Sequence, residues 1–334
     1  MTATLVTALY DIQREDEEKG DGRKWEEYIN WFANTLRIPS PMVVYVDPSS
    51  KKFVEEFRAD RPTKIITHEI DEIPYFYLYH KVNKILNSKK YKDKIDDPQR
   101  LECRNPLYPL VIFSKFQWVK RAIEEDHFNT DVFLWMDAGL SRLFYETDLD
   151  KPYPSPQGLA AINANPDKAI IQTSMSYYPD LVYADSCGED YLWDNRSWVM
   201  AGLWGGYKEP MLKFAELIHD VFENKMKVIV PNLEPIAAMS WIKNRMTTSE
   251  GMPFYLFSSF IGKKLHLIDL KSMINATPVN PRSPFMHGVN NLYTENEQGA
   301  FRYYPIMNYS HVDTDNLYDL VGNGLVGATY SYYD

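Results

Sequence analysis

Five consecutive apolar residues, Val132 to Met136 in "DVFLWMDAGLSR", run without a polar interruption into an aspartate and two very small residues. A half-exposed strand would alternate, and an amphipathic helix would space its apolar residues by three and four. A short unbroken run bounded by turn residues reads as a strand buried on both faces. Such strands belong to sheets covered by helices on both sides. In open sheets of that kind, ligands gather beyond the carboxyl ends of the strands, where strand order reverses. Asp137 is therefore expected at the lip of the sheet, and Ala138-Gly139 leaves room for a bulky group to approach the backbone.

The chain before this run repeats the strand and helix alternation. Leu5 to Leu9 is strand-like and ends at Tyr10-Asp11, and a charged loop follows. "RKWEEYINWFANTLRI" places Trp25, Tyr28, Phe32 and Leu36 on one helical face, closed by Pro39 and Pro41. "MVVYVD" reads as a second strand, "KKFVEEFR" as a helix and "TKIITHEI" as a third strand. This order predicts parallel pairing through right-handed crossovers. A helix is expected from Asn105 to about His127, with strands at "AIIQTSM" and "SWVMAGLWGG" and helices at "EPMLKFAELIHDVF" and "EPIAAMSWIKNRM". The fold class expected is α/β, with a mixed, mostly parallel sheet flanked by helices and a variable C-terminal part. One domain is expected over 1–334, in two halves of about 1–145 and 146–334.

Composition narrows the function. A formal charge of −10 lacks the basic footprint that nucleic acid requires. Cys103 and Cys187 are too far apart in sequence for a disulfide framework or zinc spacing, which points to a reducing compartment and a cytoplasmic protein. No run approaches the roughly 20 apolar residues of a membrane span, so membrane association is expected to be peripheral at most. No G-x-G-x-x-G, P-loop or G-x-S-x-G element is present for a dehydrogenase, kinase or serine hydrolase. Aromatics at 14% suit a large core and also ring-lined binding surfaces.

Taken together and in order, "TLVTALYDI", "PMVVYVD", "RNPLYPLVIFSK" and "WMDAG", with "MAGLWGG" running into a helix, resemble glycosyltransferases of the GT-A type. More narrowly, the set is similar to the HtrL/YibB-type proteins associated with bacterial surface-polysaccharide loci. The resemblance covers roughly residues 3 to 245. It implies a Rossmann-like nucleotide site and transfer of a sugar from a nucleotide-sugar donor, a UDP-sugar, to a glycan or lipid-linked acceptor. Two alternatives remain: a non-catalytic nucleotide or glycan binder that kept the fold, or another α/β enzyme such as a nucleotidyltransferase or phosphohydrolase.

The resemblance also nominates residues. GT-A enzymes usually hold a divalent metal with Asp-x-Asp, but here Gly139 stands where the second acid is expected. Asp137 and His287 are then the candidate ligands for Mn²⁺ or Mg²⁺, hard cations that suit oxygen donors and a diphosphate. Donor-contacting candidates are Tyr10, Asp11, Arg14, Lys115, Asp137, Ala138 and Gly139. Lys115 is either a donor-contacting base or a solvated helix lysine. Arg142 either clamps phosphate or pairs with an acid such as Glu146. Gly202, Trp204, Gly205 and Gly206 match a segment that lines the meeting of donor sugar and acceptor, with Trp204 offering a flat face. Glu234 is the expected catalytic carboxylate alongside Asp137, since an attacking hydroxyl must lose its proton. Glu189, Asp190 and Asp194 are runners-up. Asp47 reads as a plain turn residue.

Overall fold

The computed structural model describes residues 2–15, 22–95, 98–143, 149–154, 156–173 and 199–226. It adds shorter stretches at 238–239, 241–242, 249–252, 254–258, 265–267, 287–289, 294–295, 301–302 and 328–330. The first half follows the expected alternation: β1 (Ala3–Leu9), α1 (Trp25–Leu36), β2 (Met42–Val46), α2 (Lys51–Arg58) and β3 (Thr63–Thr67). β1 pairs parallel with β2, and β2 with β3. Asp47 caps the 3-10 turn Pro48–Ser50, accepting from the Ser50 amide and from the Ser49 and Ser50 hydroxyls. Burial works against its ionisation, but those hydrogen bonds prevail and hold its carboxyl below the usual range. It is a cap, as the sequence suggests.

Between β3 and the long helix lie α3 (Tyr79–Leu86), α4 (Lys89–Lys92) and α5 (Leu101–Arg104), which have no counterpart in the sequence reading. Then α6 (Leu107–Glu125) leads into β4 (Val132–Met136), which pairs parallel with the free side of β1. The chain goes on through α7 (Pro156–Asn163), β5 (Ala169–Thr173), β6 (Val199–Tyr207), α8 (Lys208–Asp220), β7 (Phe254–Ser258), β8 (Leu265–Leu267) and β9 (His287–Val289).

The main sheet has eight strands in the order β3-β2-β1-β4-β6-β5-β7-β9. It is mixed and mostly parallel: β6 runs antiparallel to both neighbours, β4 and β5. Strand order reverses between β1 and β4, so a crevice is expected beyond their carboxyl ends. A second, small antiparallel sheet joins β8 to Thr294–Glu295, Phe301–Arg302 and Ala328–Tyr330.

Two cores lie on opposite faces of the sheet, and the strands feed them alternately because side chains have period two. Phe133, Trp135, Ile171 and Trp204 join α6 and α8 in one core. Leu134, Met136, Ile170 and Leu203 join Phe32 and Leu36 of α1 in the other. The strand that looked fully apolar is therefore buried on both sides.

The turn from α6 to β4 is held by Asp126, a left-handed C-cap with φ 39°. Its carboxylate accepts from Lys208 Nζ at 2.7 Å and from the Thr130 amide at 3.2 Å, joining the end of α6 to the start of α8. The Lys208 contact holds the Asp126 carboxyl below its ordinary range despite some burial. The folded chain thus takes up this proton at lower pH than the unfolded chain. The bond's contribution is complete above the unfolded carboxyl value, about 3.9, and is lost as pH falls below it. Asp126→Asn is expected to flatten the loss of urea-unfolding stability between about pH 5 and pH 3 relative to the parent.

Candidate active site at the ends of β1 and β4

A cavity of about 260 Å³ opens beyond the ends of β1 and β4. Tyr10, Asp11 and Arg14 line it from the segment after β1, Lys115 from α6, and Asp137, Ala138 and Gly139 from the segment after β4. The structure brings these seven sequence-nominated residues onto one set of walls.

Asp137 extends the β4–β6 ladder by one bond, its amide donating to the Gly202 carbonyl at 2.9 Å. By strand alternation it faces the same side as Trp135, toward α6. Its Oδ1 accepts from Trp135 Nε1 at 2.7 Å and from Lys115 Nζ at 2.7 Å. Lys115 Nζ also lies 5.5 Å from the centroid of the Trp135 ring. Lys115 is only 7% exposed, so it is no solvated helix lysine. The Asp137 side chain remains 38% exposed. Its Oδ2 has no hydrogen-bond partner among the described residues and faces Gly202, where a Cβ would stand 3.3 Å away. One carboxylate oxygen is locked and the other is presented.

The segment after β1 is shaped by its own polar groups. Asp11 Oδ1 accepts from the Gln13 amide at 2.7 Å, with Gln13 at φ 60°. The Arg14 guanidinium lies 5.1 Å from the Tyr28 ring centroid and 5.5 Å from that of Tyr108, within cation–π range of both. Tyr10 stacks on Trp118 at 5.4 Å. The Tyr10 hydroxyl is buried without a hydrogen-bond partner among the described residues, and burial pushes its pKa up. Tyr28, Tyr108 and Arg23 also line the cavity, and the sequence reading missed them. Tyr28 stood there as one residue of the α1 apolar face. Phe32 and Leu36 enter the core, while Trp25 and Tyr28, in the first turn, are partly buried against it and also line the cavity.

The glycine-rich strand corrects the expectation placed on it. Trp204 is 1% exposed, stacked between Trp135 at 6.3 Å and Phe116 at 4.6 Å, with Nε1 donating to the Ala201 carbonyl. It offers no face to a sugar, because β6 is an interior strand and position 204 points into the α6/α8 core. Gly205 and Gly206 are buried too. A Cβ on Gly205 would fall 2.3 Å from the Phe133 carbonyl oxygen, and one on Gly206 2.9 Å from that of Lys168. Their glycines serve backbone packing between strands. Of the four residues, Gly202 alone borders the Asp137 carboxylate.

Glu234, Glu189, Asp190 and Asp194 lie outside the described residues, as does the Arg142 side chain. His287 opens β9, separated from β4 in the sheet by β6, β5 and β7, and its side chain is likewise undescribed. At about 4.8 Å per strand, its backbone is some 19 Å from β4. Among the described residues, no three His, Cys, Asp or Glu side chains gather to hold a metal ion. Asp137 brings one carboxylate, with one oxygen already on an ammonium, and Gly139 brings none. Among the described residues, this donor set offers a divalent cation a single carboxylate oxygen, Oδ2 of Asp137.

Somewhat less than half of the chain is similar in sequence to the family described as a bacterial protein of unknown function, HtrL_YibB. The match runs over residues 1–156. The matched segment contains β1 to β4 and, among the described residues, all those lining the cavity. Protein HtrL of Escherichia coli (strain K12) is 26% identical over 147 residues, 41% of this chain and 51% of that protein. The match thus spans about half the length of this relative. Among solved structures, mouse xyloside xylosyltransferase 1 in its apo form aligns over 95% of this chain and 99% of that one. Its identity is 10% and its TM-score 0.34, too loose to bear on function.

Proposed function

We propose that the chain is a glycosyltransferase that takes a nucleotide-sugar donor, a UDP-sugar, into the Asp137 cavity. The sugar passes to a glycan or lipid-linked acceptor of a surface polysaccharide. The observation that carries the donor half is the convergence of Arg14, Lys115 and Asp137 at the strand-order reversal between β1 and β4, where α/β sheets bind nucleotides. The transfer half is supported by the GT-A resemblance of the same segments. Within the site, Lys115 and Arg14 meet the charge that builds on the departing diphosphate, and the presented Oδ2 of Asp137 orients a hydroxyl of the sugar. Glu234 is proposed as the base for the acceptor hydroxyl. The compartment proposed is the cytoplasm. Among the described residues no helix is long and apolar enough to cross a membrane.

Thermal unfolding in the presence of UDP- and GDP-sugars tests the donor. A nucleotide at 100 times its Kd is expected to add about 2.7 kcal/mol. Incubation with the stabilising donor is expected to release a nucleoside diphosphate. Stabilisation without release, even with acceptor glycans, favours a binding module, a reading supported by the half-locked carboxylate and Gly139. Release of pyrophosphate makes the chain a nucleotidyltransferase. A chain unmoved by every nucleotide does not take a donor at this cavity.

A further inference from the structure

We infer that Lys115, in place of a divalent metal, is the resident cation of the cavity, and that the site takes a nucleoside diphosphate through side-chain cations. This rests on the donor reading above and goes beyond it.

A buried ammonium is costly unless paired, so a lysine 7% exposed on a helix packed against the sheet needs a reason. Lys115 is held from two sides, by Asp137 Oδ1 at 2.7 Å and by the Trp135 ring face at 5.5 Å. An ammonium carries three N–H donors, and Oδ1 takes one. The same residue lines the cavity. A positioned, mostly desolvated cation with donors to spare is what an incoming phosphate oxygen meets.

The carboxylate shows the converse. Oδ1 accepts from both Lys115 and Trp135, which leaves Oδ2 for anything else. A divalent ion on Oδ2 would sit close to the ammonium on its sister oxygen, and like charges at that separation repel. Among the described residues, the other acids lining the cavity are Asp11 and Glu15. Asp11 accepts from the Gln13 amide, and Glu15 accepts from the Trp25 amide at the head of α1. Arg14 supplies the second cation: its planar guanidinium, set against Tyr28 and Tyr108, suits two-point contact with phosphate. Asp137 is therefore a positioning residue for Lys115 as well as a contact to the sugar.

The two arrangements give opposite results for Asp137→Asn. If a metal bridges Asp137 and the diphosphate, losing the carboxylate charge removes binding. If Lys115 holds the diphosphate, the amide still accepts from Trp135 and Lys115 loses only a competing anion, so binding persists. The measurement is calorimetric titration of the full chain with UDP, once in EDTA and once in Mn²⁺. The parent is expected to bind with affinities agreeing within about threefold in the two buffers. Asp137→Asn is expected to bind UDP in EDTA at least as tightly as the parent. Lys115→Gln is expected to weaken binding by roughly tenfold or more, the loss of one charged hydrogen bond, with partial recovery in Lys115→Arg. Circular dichroism establishes that each variant is folded, and the Asp137→Asn comparison decides the matter if Lys115→Gln does not fold. Tightening of parent binding by about tenfold on adding Mn²⁺, or loss of UDP binding in Asp137→Asn, overturns the lysine site and leaves the donor reading intact. Absence of UDP and GDP binding in both buffers overturns both.

Discussion

Trp204→Ala is expected to destabilise the chain by about 3–5 kcal/mol, the range for removing a large aromatic from a packed core. The ring is 1% exposed and forms part of a continuous stack. Tyr10 lies on Trp118 at 5.4 Å, Trp118 on Trp135 at 6.2 Å, Trp135 on Trp204 at 6.3 Å and Trp204 on Phe116 at 4.6 Å. Phe214 of α8 stands perpendicular to Trp204, with ring centroids 5.6 Å apart. Deleting the indole opens a void where β6, α6 and α8 meet, and close-packed surroundings collapse into it only in part. Trp204→Phe keeps an aromatic in the stack and is expected to cost less. Urea unfolding measures both changes. UDP affinity at low temperature is expected to be near the parent value in the folded fraction, since Trp204 does not line the cavity. The outcome that would restore Trp204 to a sugar-binding role is the reverse: stability within about 1 kcal/mol of the parent and turnover lost.

That residue also marks where the sequence ceases to be readable. The strands β1, β2 and β4 are legible because burial on both faces leaves unbroken apolar runs, and the carboxylate after β4 stands out against that background. "GLWGG" is ambiguous for a physical reason. Glycines beside an aromatic suit a sugar platform, and they suit equally a strand squeezed between neighbours around one large ring. Only the position of β6 between β4 and β5 decides, and those pairings join residues 67–75 and 26–35 positions apart in sequence. Lys115 is hidden differently. Helix α6 is buried over much of its circumference, since Leu110, Phe113, Phe116, Trp118, Val119 and Ala122 are all core residues. Its periodicity therefore leaves no clear polar face on which to place a lysine. Tyr28 and Tyr108 escaped because each lies in the first turn of a helix, where an aromatic that fits the apolar pattern can reach past the sheet into the crevice.

Asp137→Ala and Asp137→Asn are expected to lower turnover alike and stability unequally. Both remove the negative charge of a side chain that lines the cavity and whose Oδ2 lies beside Gly202. Losing a positioned charged group at a reacting centre costs about 10²–10³-fold or more, so either change is expected to reduce donor turnover by at least about a hundredfold. The folded state distinguishes them. Asparagine also removes the counter-charge of Lys115 but keeps an oxygen for Trp135 Nε1 and for the ammonium, so its unfolding free energy is expected to fall by about 1–2 kcal/mol, less than for alanine. Alanine leaves a buried indole N–H unmatched and an ammonium without its counter-charge. One unsatisfied donor costs about 1–3 kcal/mol and a stranded buried charge 3–5. The 38% exposure of the Asp137 side chain lets water repay part of this, which makes about 2–4 kcal/mol the expected loss. Urea unfolding and donor turnover measured on the same preparations separate the two effects. Equal destabilisation by both changes would mean that Asp137 is held for its charge alone. Undiminished turnover in Asp137→Asn would mean that the presented oxygen takes no part in transfer.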